Sequence, residues 1–323
     1  MTFPFRYIGL FVSCIFLILV GLFMGPSDSS FHETVSAIFI SDDSVMNTIM
    51  WSIRIPRIMV SLVAGSCLGL AGALIQISSR SPLGDPNLFG IGGGAAIFIA
   101  ACSAGLLVLD GFWIFAGCIS FAVIVSILLS QLIATKDLSP IKLAIMGIAL
   151  GSLTVSISTA VISHGRVFSI QVIGLVAGSF AASNWETFYY MVATLGICAG
   201  VSFFLSRKFQ PIMLGDTLSK SLGVNPVSTR LTAMILVGIL TGASVYGGGI
   251  IGFVGLISPH LARRLFGNFP SKLILGSIII GALLTIFSDQ VARLIFAPTE
   301  LPVGMATTII GAPMMMYLAM RIR

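Results

Sequence analysis

The chain has 323 residues, of which 57% are apolar and only 9% charged. An average soluble domain carries about 25% charged residues, so a water-exposed globule of this length is excluded and most of the surface must face lipid. The net charge of +6 must then reflect how basic residues are sorted across a membrane, and no nucleic-acid partner is needed to account for it.

In chain order, apolar runs bounded by charge, Pro or Gly predict spans near residues 7–25, 58–77, 88–109, 112–134, 143–162, 187–206, 231–247, 250–264, 273–293 and 302–320. The first run follows a single Arg6, is long for a signal peptide and lacks a small-residue cleavage site, so it reads as a retained helix. Gly247-Gly248-Gly249 interrupts the pattern between the seventh and eighth spans. The five cysteines lie inside apolar runs without a CxxC pair, which indicates neither a disulfide framework nor a metal site.

Charge supports ten spans with both termini cytoplasmic. Arg6, Arg80, Lys136, Lys142, Arg207, Lys208, Lys220, Arg230, Arg263, Arg264, Lys272, Arg321 and Arg323 then face inward. Only Arg54, Arg57, Arg166 and Arg293 remain outside, beside Asp28, Glu33, Asp42, Asp43, Asp110, Glu186, Asp289 and Glu300. This is the bias expected of short loops, and an odd number of spans would misplace the closing Arg321-Ile322-Arg323. The expected fold is an all-α polytopic bundle of ten helices forming one membrane domain over 1–323, with a cytoplasmic segment at 207–230.

Within the predicted spans the only carboxylate or histidine residues are Asp289 and His260, which disfavours ion-coupled transport. ATP hydrolysis on this chain is equally disfavoured, because a P-loop requires Gly-Lys and that dipeptide is absent. Energy is therefore expected from a separate ATPase subunit. His260 has no second ligand type near it in sequence and reads as structural.

Leu214, Leu218 and Leu222 recur every four residues in the cytoplasmic segment. Asp216 stands at the start of a short predicted helix, Lys220 near its end, and Gly215 and Gly223 at its borders. Such an amphipathic helix sets its apolar stripe either into a groove on another protein or onto headgroups. On the fifth span Ser152, Ser156 and Thr159 share one face, with Gly147, Gly151 and Ser158 nearby. Hydroxyls and small residues at this spacing suit both a polar pathway and close helix packing.

The stretch FQPIMLGDTLSKSLGVN resembles the cytoplasmic coupling segment of ABC importer permeases. Four further stretches are similar to the FecCD family: WSIRIPRIMVSLVAGSCLGLAGALIQ at 51–76, SPLGDPNLFGIGGGA at 81–95, GGIIGFVGLISPHLARRL at 248–265 and SDQVARLIFAPTELPVGMATTIIGAP at 288–313. That family comprises permeases for iron-siderophore, haem and cobalamin uptake. Ser81-Pro82-Leu83 departs from its usual Asn-Pro-Leu.

The resemblance implies a ten-helix permease of the large cobalamin/siderophore type. Its expected partners are a second permease copy or relative, two cytoplasmic ATPase subunits that hold ATP and Mg, and an external substrate-binding protein. No cofactor is expected on this chain. By the same resemblance Arg54 and Arg293 are expected to engage carboxylates of the binding protein, although Asp289 lies four residues before Arg293 on one helix face and is placed to pair with it. Leu214, Gly215, Asp216, Leu218, Lys220, Leu222 and Gly223 are expected to contact the ATPase, and Ser152, Ser156 and Thr159 to line the passage. The expected cargo is a ferric siderophore, with haem or cobalamin as alternatives within the class and a stand-alone secondary transporter as the alternative outside it.

Overall fold

The computed structural model describes residues 3–23, 35–37, 45–135, 140–165, 174–297 and 299–321. Of the residues used to assign topology, Asp28, Glu33, Asp42, Asp43, Lys136, Arg166 and Arg323 lie outside them. In the described residues every element is helical: α1 (Phe3–Phe23), α2 (Val45–Ser79, with a π-helical turn at Met50–Arg54), α3 (Ile91–Ser103), α4 (Gly111–Thr135), α5 (Pro140–His164), α6 (Trp185–Leu214), α7 (Asp216–Ser221), α8 (Pro226–Gly248), α9 (Val254–Phe266), α10 (Pro270–Leu294) and α11 (Val303–Arg321).

Six of these helices are long and apolar enough to cross a bilayer: α2, α4, α5, α6, α8 and α10. Their ends follow local chemistry. Asn184 caps α6 by accepting from the Thr187 amide at 2.8 Å, and Asn225 caps α8 through the Val227 amide at 3.1 Å, with Pro226 in the first turn. Pro270 opens α10. Gly249 at φ 70° and Phe253 at φ 68° turn the chain from α8 into α9.

The core is built around α2, whose middle is buried on all sides. Its glycines make this possible. A methyl group at Gly65, Gly69 or Gly72 would fall within 2.3, 2.0 and 1.9 Å of the backbone oxygens of Gly281, Ser277 and Gly255. Bare backbone at i, i+4 and i+7 thus lets α10 and α9 lie directly against α2, the close approach by which helices associate where lipid removes the hydrophobic drive.

Several boundaries differ from the sequence expectation, and the second span, expected from 58, already begins at Val45. The span expected at 88–109 is helical only over the 13 residues of α3. At 1.5 Å per residue that is about 20 Å, short of a core of about 30 Å. Gly105 at φ 74° ends the helix, and the apolar Leu106, Leu107, Val108 and Leu109 that follow it are exposed. The sixth helix, expected to stop near 206, runs on through Arg207, Lys208 and Pro211 to Leu214. It does so because buried Phe209 and Ile212 continue its helical stripe. The segment outside helix is correspondingly shorter than 207–230.

The interior also carries more charge than the spans suggested. Asp85, in the turn between α2 and α3, is fully buried. Its Oδ1 accepts from the Asn87 and Leu88 amides at 2.9 Å each, and its other oxygen faces the first turn of α9 at Gly255. A carboxylate suits that place, where the helix dipole is positive. Arg57 and Asp289 form a second interior charge site, between α2 and α10.

Candidate functional site

Two ends of the bundle concentrate the chemistry. At one end α2 and α8 bring Arg80 and Arg230 to Asp216 of α7, and α9 places Arg263 in a cavity beside Arg80, while Arg207 and Lys208 lie in the last turns of α6, Lys220 on α7 and Arg264 at the end of α9. Helix α7 is a single short stretch held between two glycines in unusual backbone states, Gly215 at φ 121° and Gly223 at φ 77°. Neither conformation suits a residue with a Cβ.

The three leucines do not share one helix, as their spacing predicts they should, because Gly215 at φ 121° breaks the helix between α6 and α7. Leu214 is the last residue of α6, Leu218 lies within α7 and Leu222 caps it. All three are exposed, at 62%, 50% and 59%. Lys220 points outward as well, while Ser219 on the opposite face is buried.

What fixes α7 to the bundle is the Asp216 carboxylate. Arg230, in α8 and largely buried, donates to its two oxygens at 2.6 and 3.1 Å. Arg80, at the end of α2, donates to it as well, and the Arg80 Nε donates to the Ile212 carbonyl of α6 at 2.7 Å. One carboxylate therefore joins the ends of α2, α6, α7 and α8. Partial burial alone would raise the Asp216 carboxyl, but the Arg230 charge and its hydrogen bonds, followed by those of Arg80, hold it below the usual carboxylate range. Nothing in the local spacing announced this clasp, because Arg80 lies 136 residues from Asp216.

At the opposite end a second set of ion pairs joins α2 and α10 to the turn before α11. Arg57 chelates Asp289 through Nη2 at 2.8 Å and Nε at 3.1 Å, and Glu300 through Nη1 at 2.9 Å. Asp289 thus pairs with Arg57, across the bundle, instead of with Arg293 on its own helix. Arg54 and Arg293 are 4% and 3% exposed. They donate to carbonyls at the end of α1, Arg54 to Leu22 at 3.0 Å and Arg293 to Gly21 at 3.0 Å. Around them stands an aromatic rim in which Trp185 donates to the Trp51 carbonyl at 2.8 Å and stacks on its ring. Such rings favour the membrane–water boundary.

On α5 the small residues divide into two faces. Gly147, Gly151, Thr154 and Ser158 meet the start of α3, where the Thr154 and Ser158 hydroxyls approach the Gly90 and Gly93 carbonyls at 3.3 and 3.4 Å. Ser152 and Ser156 are exposed and Thr159 is half-buried, its hydroxyl donating to the Ser156 carbonyl at 2.9 Å. Close packing of this helix therefore uses Gly147, Gly151, Thr154 and Ser158, on a different face from Ser152 and Ser156. Among the described residues no cluster of metal-ligand types is present.

With this geometry in place, the fold defines a class. Its relation to a solved metal-chelate type ABC transporter in an inward-facing conformation extends over 99% of this chain and 100% of the other, at 26% identity and a TM-score of 0.81. The chain belongs to the FecCD transport family, whose model matches residues 13–321. Among its relatives is the Fe(3+)-citrate import system permease protein YfmD of Bacillus subtilis (strain 168), 33% identical, with 94% of this chain and 91% of the relative covered. The vitamin B12 import system permease protein BtuC of Salmonella newport (strain SL254) is 32% identical, with 84% and 83% covered. The chain is a multi-pass ABC importer permease, a transport component.

Proposed function

We propose that this permease carries a ferric siderophore across the bacterial cytoplasmic membrane by alternating access, driven by ATP hydrolysis on two separate cytoplasmic subunits. The observation that carries the reading is an exposed apolar patch, Leu214 at the end of α6 with Leu218 and Leu222 on α7, a short helix that the Asp216 carboxylate ties to α2 and α8. A partner seated on that patch would move α7, and the Asp216 clasp would pass the movement to α2 and α8. The second permease of the pair is either another copy or a related chain.

Ten spans and cytoplasmic termini remain the proposed topology. Support comes from the six long apolar helices together with α1, α3, α9 and α11, which make up ten. Further support comes from Tyr7 of α1, which stacks on Phe266 of α9, beside Arg263 and Arg264, with ring centroids 4.1 Å apart. Positive charge collects at the cytoplasmic side in such proteins. For the passage, the proposed lining is the face of α5 that carries Ser152, Ser156 and Thr159, the two serines exposed and Thr159 half-buried.

Iron-chelate cargo is favoured by relatives named for Fe(3+)-citrate and iron(3+)-hydroxamate import. Cobalamin is the second reading, favoured by the B12 permease relative. Reconstitution with the ATPase and binding protein that copurify with the chain separates the two. Uptake of an iron-loaded chelate and not of cobalamin is expected, and the reverse would reassign the cargo.

Binding-protein docking is proposed at the end that carries Arg54 and Arg293. Each would exchange an α1 carbonyl for a carboxylate of the docking protein, a stronger charge-assisted bond. Replacing both by Gln is expected to weaken docking by about 10-fold or more, measured as affinity of the binding protein for the reconstituted complex. Unchanged affinity in a correctly folded double variant would remove these arginines from the interface.

For the clasp, Asp216→Asn is expected to leave the ATPase bound and hydrolysing while import per ATP falls by about 10-fold. Undiminished import per ATP would show that movement enters the bundle elsewhere.

A further inference from the structure

A cavity of about 220 Å³ opens at the basic end, between the last turns of α2, α6 and α9. Its lining includes Gln76, Arg80, Ser81, Met213, Arg263 and Asn268, and no carboxylate is among the described residues that line it. A water occupies about 30 Å³ of liquid volume, so the space accepts a tetrahedral oxyanion together with solvent.

The cavity is built as well as basic. Arg263 Nη1 donates to Gln76 Oε1 at 2.7 Å. Gln76 is buried, and its own amide donates to the Gly84 and Leu256 carbonyls at 3.2 and 3.3 Å. A fixed amide thus aims the guanidinium, whose five N–H donors are not used up by that one bond. Facing it, Arg80 caps α2 in the left-handed conformation at φ 51°, a place where glycine is the usual residue. A side chain there is strained, and the residue kept in spite of it is a guanidinium. Charge is unbalanced as well: Arg80 and Arg230 share Asp216, and Arg263 is directed at a neutral amide.

We infer that this cavity binds a phosphate group, carried on an anionic lipid headgroup or free as inorganic phosphate. Guanidinium forks match phosphate oxygens two at a time, and basic pockets between membrane helices at the positive face are where headgroups lodge. The headgroup source rests on the permease reading given above. The free-phosphate source does not.

The test uses the full-length purified chain in nanodiscs of phosphatidylcholine alone, the same with added inorganic phosphate, and nanodiscs containing phosphatidylglycerol. Lipid retained after detergent extraction is read by native mass spectrometry and melting temperature by fluorescence. The expected result is that the wild type retains phosphatidylglycerol, or is stabilised by inorganic phosphate, about 10-fold more effectively than Arg263→Gln. Arg264→Gln, at an exposed neighbour that does not line the cavity, should behave as wild type. A response to phosphatidylglycerol alone assigns the headgroup, and a response to inorganic phosphate assigns the free ion. Should Arg263→Gln aggregate, Arg80→Gln gives the same reading. Equal responses of wild type and variant in every arm would overturn the proposal. So would loss of ATPase association in Arg263→Gln with both phosphate responses intact, because the cavity would then serve a protein carboxylate. Failure of the wild type to bind any ATPase would undo the coupling reading while leaving the lipid and phosphate arms readable.

Discussion

Replacing Leu218 by aspartate is expected to strip the ATPase from the purified complex while the permease itself stays folded. The side chain is half exposed and lies outside the buried core, so its loss leaves no core cavity. Its value lies in the partner's groove. A leucine fully buried at an interface contributes about 1.5–3 kcal/mol, and a carboxylate in its place adds a desolvation cost. Together these predict association at least about 30-fold weaker. Copurification of ATPase at the wild-type level with Leu218→Asp would remove the patch from the interface. Gly215→Ala offers a separate check through the backbone: at φ 121° a Cβ is strained, so α7 should be displaced without any change to the leucines.

The second large effect is expected at the opposite end. Asp289→Asn should destabilise the protein modestly, since Arg57 keeps Glu300, and Arg57→Met should destabilise it by about 3–5 kcal/mol, because it leaves the buried Asp289 carboxylate without its partner. In a thermal melt that amounts to a fall of roughly 10 °C. Glu300→Gln should cost far less, since its carboxylate is about a third exposed and Arg57 keeps Asp289. The combination Arg57→Met with Asp289→Leu should recover most of the loss, as neither charge is then orphaned. A single Arg57→Met variant as stable as wild type would show that the pair does not tie α2 to α10.

Both effects lie where sequence and structure inform each other unequally. The apolar runs located the long helices well, because about 20 residues without charge leave few alternatives. Hydropathy failed at α3 and α6 for opposite reasons. Leu106-Leu107-Val108-Leu109 is apolar enough to be counted into a span, yet Gly105 has already ended the helix before it. Arg207 and Lys208 mark a membrane boundary, yet buried Phe209 and Ile212 carry the helix past it. A window averages composition and registers neither event.

The four-residue spacing of Leu214, Leu218 and Leu222 read as one helix face, whereas Gly215 splits it between two helices, with all three side chains exposed. The bonds that give these leucines a mechanical role were not legible, since Arg80–Asp216 and Arg57–Asp289 join residues 136 and 232 positions apart. Asp289 shows the hazard of local reasoning: Arg293 is its neighbour on the helix, but the side chain reaches Arg57 on α2. Asp85 was hidden for a related reason. In a turn rich in Pro and Gly it reads as solvated, and only the arrival of α9 over that turn buries it. Its presence also weakens the sequence-based case against ion coupling, which relied on an interior nearly free of charge.

That alternative makes one measurement decisive: uptake of an iron-loaded chelate into sealed vesicles containing the permease with its binding protein, with and without the copurifying ATPase and ATP, under imposed proton and sodium gradients. Accumulation that needs both the ATPase and ATP and ignores the gradients is the predicted result. Uphill accumulation by the permease alone, driven by either gradient, would contradict the account.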